Sequence, residues 1–127
     1  MTNRELIIAF VAAINARAPD VLAELMSADH TFIDAHGNEV VGREKMRAGW
    51  AGYFEWFPDY EIELAQIFEH GEEFGLFGYA GGSFKGDPER RWRLPAAWRA
   101  VVEDQRVALW QVYADTKIPF EIIERGG

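Results

Sequence analysis

The chain has 127 residues, of which 21 are acidic and 13 are basic, and its formal net charge is −8 at pH 7. This length predicts a single domain over residues 1–127, and the absence of cysteine excludes disulfides, thiol catalysis and zinc–thiolate sites. The negative charge argues against nucleic acid or a membrane surface as a partner. Because no apolar run approaches the roughly 18 residues of a membrane span, we expect a cytoplasmic protein.

Apolar side chains recur at helical spacing in three segments, which predicts helices over residues 4–17, 19–26 and 43–57. Pro19 suits the first turn of the second helix, where its missing N–H costs nothing, and Pro58 ends the third helix. The third helix carries an aromatic stripe. Its predicted buried face consists of Met46, Trp50, Tyr53, Phe54 and Phe57.

A short hairpin is predicted between the second and third helices, with strands over residues 30–36 and 39–42. Alternation along its first strand places Asp34 and His36 on one face, about 7 Å apart. His30 and His36 would lie about 20 Å apart on an extended strand, which is too far to share one ion, so we predict no metal site. His30 is interpreted as a boundary residue.

From Tyr60 onward the apolar period changes to two, which predicts four long antiparallel strands. These strands are predicted over residues 60–69, 74–85, 91–103 and 106–116. The second of them contains Gly75, Gly78, Gly81 and Gly82. Glycine in a strand usually marks a bulge or a close backbone approach, so a strongly curved sheet is expected. Residues 118–125 are expected to add a short helical turn.

The order of these elements predicts the α+β class, with a cone-shaped, curved antiparallel sheet packed against three N-terminal helices. The hollow between the helices and the sheet is the natural ligand site. Aromatic residues make up 14% of the chain, more than a small core requires, so some of them are expected to line this hollow. The predicted lining consists of Phe10, Trp50, Phe54, Phe57, Tyr79, Trp98 and Trp110. Two alternatives stay open: the helical stripe is simply core, and Trp98 and Trp110 face a dimer interface.

Several segments resemble the SnoaL-like branch of the NTF2-like superfamily. They are Phe10–Ala16, Leu25–Asp29, Asp34, Gly37, Gly42–Glu44 and Trp110–Asp115. The resemblance covers essentially the whole chain and implies the same cone fold, also described as a cystatin-like roll. Members include ketosteroid isomerases, polyketide cyclases and epoxide hydrolases. The resemblance also implies a homodimer formed through the outer face of the sheet.

The resemblance implies only part of the catalytic set of each of these enzyme groups. Asp34 falls where the ketosteroid isomerases carry their general base, but Phe10 replaces their oxyanion-binding tyrosine and their neutral acid has no counterpart. Loss of even one such donor typically lowers the rate by about 10²-fold to 10³-fold, so steroid isomerisation by that route is not expected. Asp115 approximates the acid of the polyketide cyclases without their histidine, and Arg99 supplies only part of the epoxide hydrolase set.

The sequence therefore predicts a protein that binds a small apolar or aromatic molecule. If it is an enzyme, Asp34 is the expected general base in isomerisation, cyclisation or hydration, without cofactor or metal. His36, Tyr53 and Asp115 are the candidates for assisting it. The alternative is a non-catalytic ligand-binding or protein-association domain. In that case Asp34 accepts hydrogen bonds within its own turn, and Asp115 caps the C-terminal helical turn.

Overall fold

The computed structural model describes residues 1–126, which form four α-helices and six β-strands. The helices are α1 (Asn3–Asn15), α2 (Pro19–Leu25), α3 (Arg43–Trp56) and α4 (Lys117–Gly126). The strands are β1 (Met26–Ile33), β2 (Glu39–Val41), β3 (Glu61–His70), β4 (Glu73–Ser83), β5 (Arg91–Glu103) and β6 (Arg106–Ala114). Two single turns of 3-10 helix, Phe84–Gly86 and Pro88–Arg90, connect β4 to β5.

The predicted α+β class and order of elements are confirmed. Helix α1 begins with a capping box, in which Thr2 and Glu5 exchange two hydrogen bonds of 2.8 and 3.1 Å. The main difference lies in β1, which begins at Met26 and ends at Ile33 rather than spanning residues 30–36. None of the helices in residues 1–126 is long and apolar enough to cross a membrane.

The six strands form one curved, unclosed sheet in the order β2-β1-β6-β5-β4-β3. The last four strands form the predicted antiparallel meander. Strands β1 and β6 run parallel, with Phe32 opposite Trp110, which departs from the antiparallel sheet that we predicted. The reason is that alternation within a strand carries no information about the direction of a partner from the other end of the chain.

Strands β3 and β4 approach each other closely at Gly78. A Cβ atom at this position would overlap the carbonyl oxygen of Glu63, and the pairing register shifts between Leu64 and Gln66. A residue with a side chain would force the two backbones apart. The glycine-rich strand therefore produces a close backbone approach and an irregular register, as such glycines usually do.

The interior between the helices and the sheet contains two groups of aromatic side chains. The Phe10 cluster consists of Phe10, His30, Trp98 and Trp110, and its contacting ring centroids lie 4.9 to 6.3 Å apart. The Tyr53 cluster consists of Trp50, Tyr53, Phe54, Phe57, Tyr60 and Trp92, with contacting centroids 5.0 to 6.1 Å apart. No member of the Phe10 cluster is more than 2% exposed.

The opposite face of the sheet carries aromatic side chains in contact with solvent. We call them the outer aromatic patch, which consists of Phe68, Phe77, Tyr79 and Tyr113. Each is between 38% and 57% exposed, and the rings of Phe68 and Phe77 lie 5.8 Å apart. The patch follows from alternation in β4, because Leu76 and Ala80 are buried toward the helices while Phe77 and Tyr79 point outward.

Candidate ligand-binding site

Asp34 and His36 lie in the turn that follows β1, not on the strand. The Asp34 Oδ1 atom accepts hydrogen bonds of 2.9 Å from the backbone N–H groups of His36 and Asn38. Its Oδ2 atom accepts a third, of 3.1 Å, from the side-chain amide of Asn38. These contacts are those of a carboxylate that organises its own turn, the alternative that the sequence left open.

These hydrogen bonds also set the protonation of Asp34. Burial raises the pKa of this carboxyl, but the hydrogen bonds from Asn38 and His36 lower it by more, so the net pKa lies below its ordinary value. A desolvated general base was expected to show the opposite shift. The role of Asp34 as a base remains a prediction, and its present contacts favour an ionised, hydrogen-bonded turn residue.

His36 and Asp115 each contact residues at the start of α4. The Nε2 atom of His36 lies 2.9 Å from the Thr116 hydroxyl oxygen, and its ring centroid lies 5.3 Å from that of Phe120. Asp115 accepts a 3.0 Å hydrogen bond from the N–H of Lys117, the first residue of α4. These two side chains therefore hold the C-terminal helix, and Asp115 adopts the capping role that was its alternative.

Tyr53 belongs to a different part of the molecule. Its ring contacts Trp50, Phe57 and Tyr60, and burial together with the neighbouring Tyr60 raises its pKa well above the ordinary value. The phenol therefore stays protonated and is available as a donor. Among the hydrogen bonds of residues 1–126, none joins Tyr53 to Asp34, so the structure does not assemble the four predicted catalytic residues into one network.

The structure brings six of the seven predicted lining residues into the interior. They are Phe10, Trp50, Phe54, Phe57, Trp98 and Trp110, all of which are buried. Tyr79 lies on the outer face instead, where the Arg93 guanidinium stacks 4.0 Å from its ring centroid. Its position follows from strand alternation, because Tyr79 is flanked in β4 by Gly78 and the inward-facing Ala80.

The interior contains hydrogen-bond donors that the described residues do not satisfy. The indole N–H groups of Trp50, Trp92, Trp98 and Trp110 are buried, and none of them has an acceptor among residues 1–126. A buried donor without a partner costs roughly 1–3 kcal/mol, and folded proteins pair nearly all such groups with protein or water. The fifth tryptophan, Trp56, is 46% exposed. The interior therefore presents several N–H groups suited to an acceptor that the chain itself does not supply.

His30 is a buried residue whose environment the sequence analysis did not predict. It was interpreted as a boundary residue, but its side chain is completely buried, and its Nδ1 lies 2.7 Å from the carbonyl oxygen of Val107. Burial lowers the pKa of His30 and outweighs the raising effects of that hydrogen bond and of Asp29, so the neutral ring is favoured. The one available signal was alternation, which placed His30 on the same face as Phe32.

Metal ligation is not indicated by the geometry. Within residues 1–126 no group of three or more histidine, aspartate or glutamate side chains is arranged to hold a metal ion. The chemistry that the interior does offer is hydrogen bonding from indoles and phenols, one imidazole acceptor, and extensive aromatic contact.

Solved structures share this architecture, which defines an NTF2-like, ketosteroid isomerase-like fold. A hypothetical protein from Catenulispora acidiphila DSM 44928, crystallised with trimethylamine, is 24% identical over 90% of this chain and 88% of its own, with a TM-score of 0.80. TerC, co-crystallised with polyporic acid, is 18% identical over 96% and 98% of the two chains, with a TM-score of 0.80. An M. tuberculosis LEH-like epoxide hydrolase is 16% identical over 98% of this chain and 86% of its own, with a TM-score of 0.81.

The family follows from a separate comparison. The SnoaL-like domain family matches residues 7–110, which is most of the chain, and the protein belongs to this family. A search of curated proteins found no match. The expected fold and family are thereby confirmed. Because the solved structures are each less than 25% identical to this chain, they show its fold and leave its specific activity open.

Proposed function

We propose that this SnoaL-like protein binds a small aromatic molecule inside the cone, and that the ligand presents hydrogen-bond acceptors to the buried indole N–H groups. The observation that carries the proposal is the set of four buried indoles without an acceptor. A ligand that accepts hydrogen bonds from these donors offsets part of the free energy that is lost when the N–H groups are buried away from water. The surrounding rings supply apolar contact for a flat ligand.

The comparisons support a small-molecule ligand in general terms. Two structural neighbours were crystallised with small molecules, one with trimethylamine and the other with polyporic acid. The fold is therefore one in which small ligands are held. The identity of the ligand in this chain rests on its own side chains, because one fold carries many functions.

A proton-transfer enzyme is the competing proposal, with Asp34 as general base and His36, Tyr53 or Asp115 assisting. The structure favours binding over this chemistry for two reasons. The carboxylate of Asp34 accepts three hydrogen bonds within its own turn, and its pKa is lowered. A base in this state is weaker than the desolvated carboxylate that proton abstraction beside a carbonyl requires.

Indole resonances provide the test, because the chain contains five tryptophans and one of them is exposed. The ¹⁵N-labelled protein is titrated with naphthalene, which has no acceptor, and with 2-methoxynaphthalene, which has one. We expect 2-methoxynaphthalene to shift the resonances of the four buried indoles and to leave the resonance of Trp56 unchanged. We also expect it to bind about fivefold more tightly than naphthalene, which is the factor that one net hydrogen bond typically contributes.

Matched variants sharpen this test. Trp98→Phe removes a buried N–H and keeps an aromatic ring, whereas Trp56→Phe removes the exposed one. Trp98→Phe should reduce the preference for 2-methoxynaphthalene, and Trp56→Phe should not. The proposal fails if neither probe moves a buried indole resonance, or if Trp56 responds as strongly as the others. Consumption of a probe carbonyl compound by the wild type but not by Asp34→Asn would favour the enzyme instead.

We also propose that two copies associate through the outer aromatic patch. A surface depression of about 390 Å³ lies beside it, lined in part by Phe68, Phe77 and Tyr113. Its border carries the ion pair between Arg99 and Glu73, at 2.6 Å. A second copy suits this surface, because a twofold interface pairs the same patch on both copies and covers the exposed rings.

A further inference from the structure

Charged side chains line a cavity of about 230 Å³ on the outer face of the sheet, at the end where β3 and β5 begin and β4 ends. Alternation turns the charged side chains of β3 and β5 away from the buried Ile62 and Trp92. Strand pairing places Glu61 and Arg93 on either side of Gly81, which has no side chain and leaves the centre of the cavity open. We call this cavity the charged trough, and its charged lining consists of Asp59, Glu61, Glu63, Arg91 and Arg93.

Opposite charges come from the two sides of the trough. Glu61 and Glu63 belong to β3, whereas Arg91 and Arg93 belong to β5. Strand β4 separates β3 from β5, so the backbones of the two outer strands lie about 9–10 Å apart. A molecule that lies across β4 therefore has carboxylates at one end and guanidinium groups at the other.

Three of the five charged groups already have partners. Arg93 forms an ion pair with Glu63, in which Nη2 lies 2.5 Å from Oε2, and its guanidinium stacks on the ring of Tyr79. The carboxylate of Asp59 accepts hydrogen bonds of 2.8 and 2.5 Å from the backbone N–H and the hydroxyl of Ser83. These contacts fix the walls of the trough, and the protein itself satisfies three of its charges.

Glu61 and Arg91 are the two remaining groups, and they carry opposite charges. Within residues 1–126 neither side chain forms an ion pair, with the other or with a third group. Burial raises the pKa of Asp59, but the hydrogen bonds from Ser83 and the positive charge of Arg91 lower it by more. Arg91 is therefore near Asp59, although it lies beyond ion-pair distance. One unpaired anion and one unpaired cation thus line the same cavity.

We propose that the charged trough binds a small zwitterion, a molecule that carries both an ammonium group and a carboxylate. The ammonium group donates hydrogen bonds to Glu61, and the carboxylate accepts them from Arg91, whose planar guanidinium matches carboxylate geometry. A purely cationic ligand would leave Arg91 unpaired, and a purely anionic one would leave Glu61 unpaired. The cavity is smaller than the roughly 300–1,000 Å³ of sites for drug-sized molecules, so the ligand is of the size of an amino acid.

The trough is separate from the aromatic interior and from the depression proposed as a dimer contact. It lies on the outer face of the sheet, and Glu61 precedes Phe68 by seven positions along β3, a distance of about 23 Å. The inference therefore does not depend on the ligand proposed for the interior, and either proposal can fail without the other.

Titration of the ¹⁵N-labelled wild type with three probes tests the proposal. 4-Aminobutanoate carries both charges, whereas butanoate and butylamine each lack one of them. At a constant ionic strength we expect 4-aminobutanoate to shift the backbone amide resonances of Gly81 and Gly82 and to leave that of Gly71, in the turn at the far end of β3, unchanged. It should bind about fivefold more tightly than either control probe, which is the most that one exposed ion pair typically contributes.

Two variants assign the ends of the ligand. Glu61→Gln should bring the affinity for 4-aminobutanoate within about twofold of that for butanoate and preserve its preference over butylamine. Arg91→Gln should have the reverse effect. Both side chains are exposed, so neither substitution removes a core contact. Glu39→Gln is the matched control, because Glu39 is an exposed carboxylate on β2 at the opposite edge of the sheet, and it should behave as the wild type.

Three results would overturn the proposal. The first is that no probe shifts the resonances of Gly81 and Gly82. The second is that butylamine or butanoate binds as tightly as 4-aminobutanoate, which would indicate attraction to a single charge. The third is that Glu39→Gln weakens binding as much as Glu61→Gln, which would indicate an effect of net charge alone. None of these results bears on ligand binding in the interior.

Discussion

At the scale of single residues, His30 couples the stability of the fold to pH. Its ring is completely buried, and burial lowers its pKa from the ordinary value of 6.5 despite the hydrogen bond to Val107. The unfolded chain therefore binds a proton at a pH where the folded chain does not. Stability from the neutral ring is fully present above the unfolded pKa and is lost as the pH falls below it toward the folded pKa.

We therefore predict that the free energy of unfolding falls between about pH 7.5 and about pH 5.5, by up to about 1.4 kcal/mol per pH unit from this one group. Urea unfolding of the wild type and of His30→Phe at several pH values measures the effect. The difference between the two slopes isolates His30, because the other titrating groups are common to both. Parallel slopes would show that the buried ring does not titrate differently in the two states.

The environments of His30 and Asp34 in the structure show how far the roles of residues can be predicted from the sequence. Both were placed on one strand, and the residue type and family position of Asp34 pointed to catalysis. The role of each side chain depends on partners that alternation does not reveal, namely Asn38 for Asp34 and Val107 for His30. Val107 lies 77 positions further along the chain, beyond the reach of any local pattern.

At the scale of elements, the close contact between β3 and β4 depends on Gly78. We expect Gly78→Ala to destabilise the protein by about 3 kcal/mol or more, because the new Cβ overlaps the backbone carbonyl of Glu63. A backbone carbonyl cannot move aside by a change of side-chain rotamer. Gly52→Ala is the matched control at an exposed position of α3, where a Cβ meets nothing within 4 Å.

Gly52→Ala should stabilise the protein by about 0.5–1 kcal/mol, since alanine costs less backbone entropy than glycine in a helix. Chemical denaturation of both variants gives the two free energies. A small effect of Gly78→Ala, comparable in size to that of Gly52→Ala, would mean that the strands separate readily and that the curvature does not depend on this glycine.

Helix α4 is held to the rest of the molecule by a small number of contacts at its start. The Nε2 of His36 bonds the Thr116 hydroxyl, its ring contacts Phe120, and Ile122 and Ile123 pack partly against the core. His36→Ala removes the hydrogen bond and the ring contact together. We predict that hydrogen exchange of the α4 amides becomes about five- to tenfold faster, the equivalent of about 1 kcal/mol.

Thr116→Val separates the two contributions, because it removes the hydroxyl and preserves the shape of the side chain. Its effect on α4 exchange should be smaller than that of His36→Ala, while exchange in β5 stays unchanged in both variants. If α4 exchanges at the wild-type rate in His36→Ala, then His36 does not hold this helix. In that case a role for His36 beside Asp34 becomes the stronger interpretation.

At the scale of the whole molecule, the sequence predicts the helices and strands of the cone better than it predicts which side chains contact one another inside it. Helical and alternating periods are local, so α1, α3 and the four-strand meander follow from them. The parallel pairing of β1 with β6 is not local, and neither is the meeting of Phe10 with Trp110. The burial of Trp110 depends on these distant contacts, and a count of tryptophans alone does not reveal it.

The outer aromatic patch makes a prediction about assembly. We expect the wild type to sediment as a dimer at micromolar concentration, and Phe77→Glu to sediment as a monomer. Phe77 is 46% exposed, so the substitution removes no core contact, whereas it places a desolvated charge in the proposed interface. Its free energy of unfolding, measured on the monomer, should therefore stay within about 1 kcal/mol of the wild type at low protein concentration.

Trp56→Glu is the control for Phe77→Glu. Trp56 is also 46% exposed but lies at the end of α3, away from the outer face of the sheet, so this variant should remain dimeric. Sedimentation velocity over a concentration series distinguishes the two. A wild type that stays monomeric throughout, or a Phe77→Glu protein that dimerises as well as Trp56→Glu, would contradict association through this face. The exposed rings beside Arg99 and Glu73 would then have to be explained by another partner.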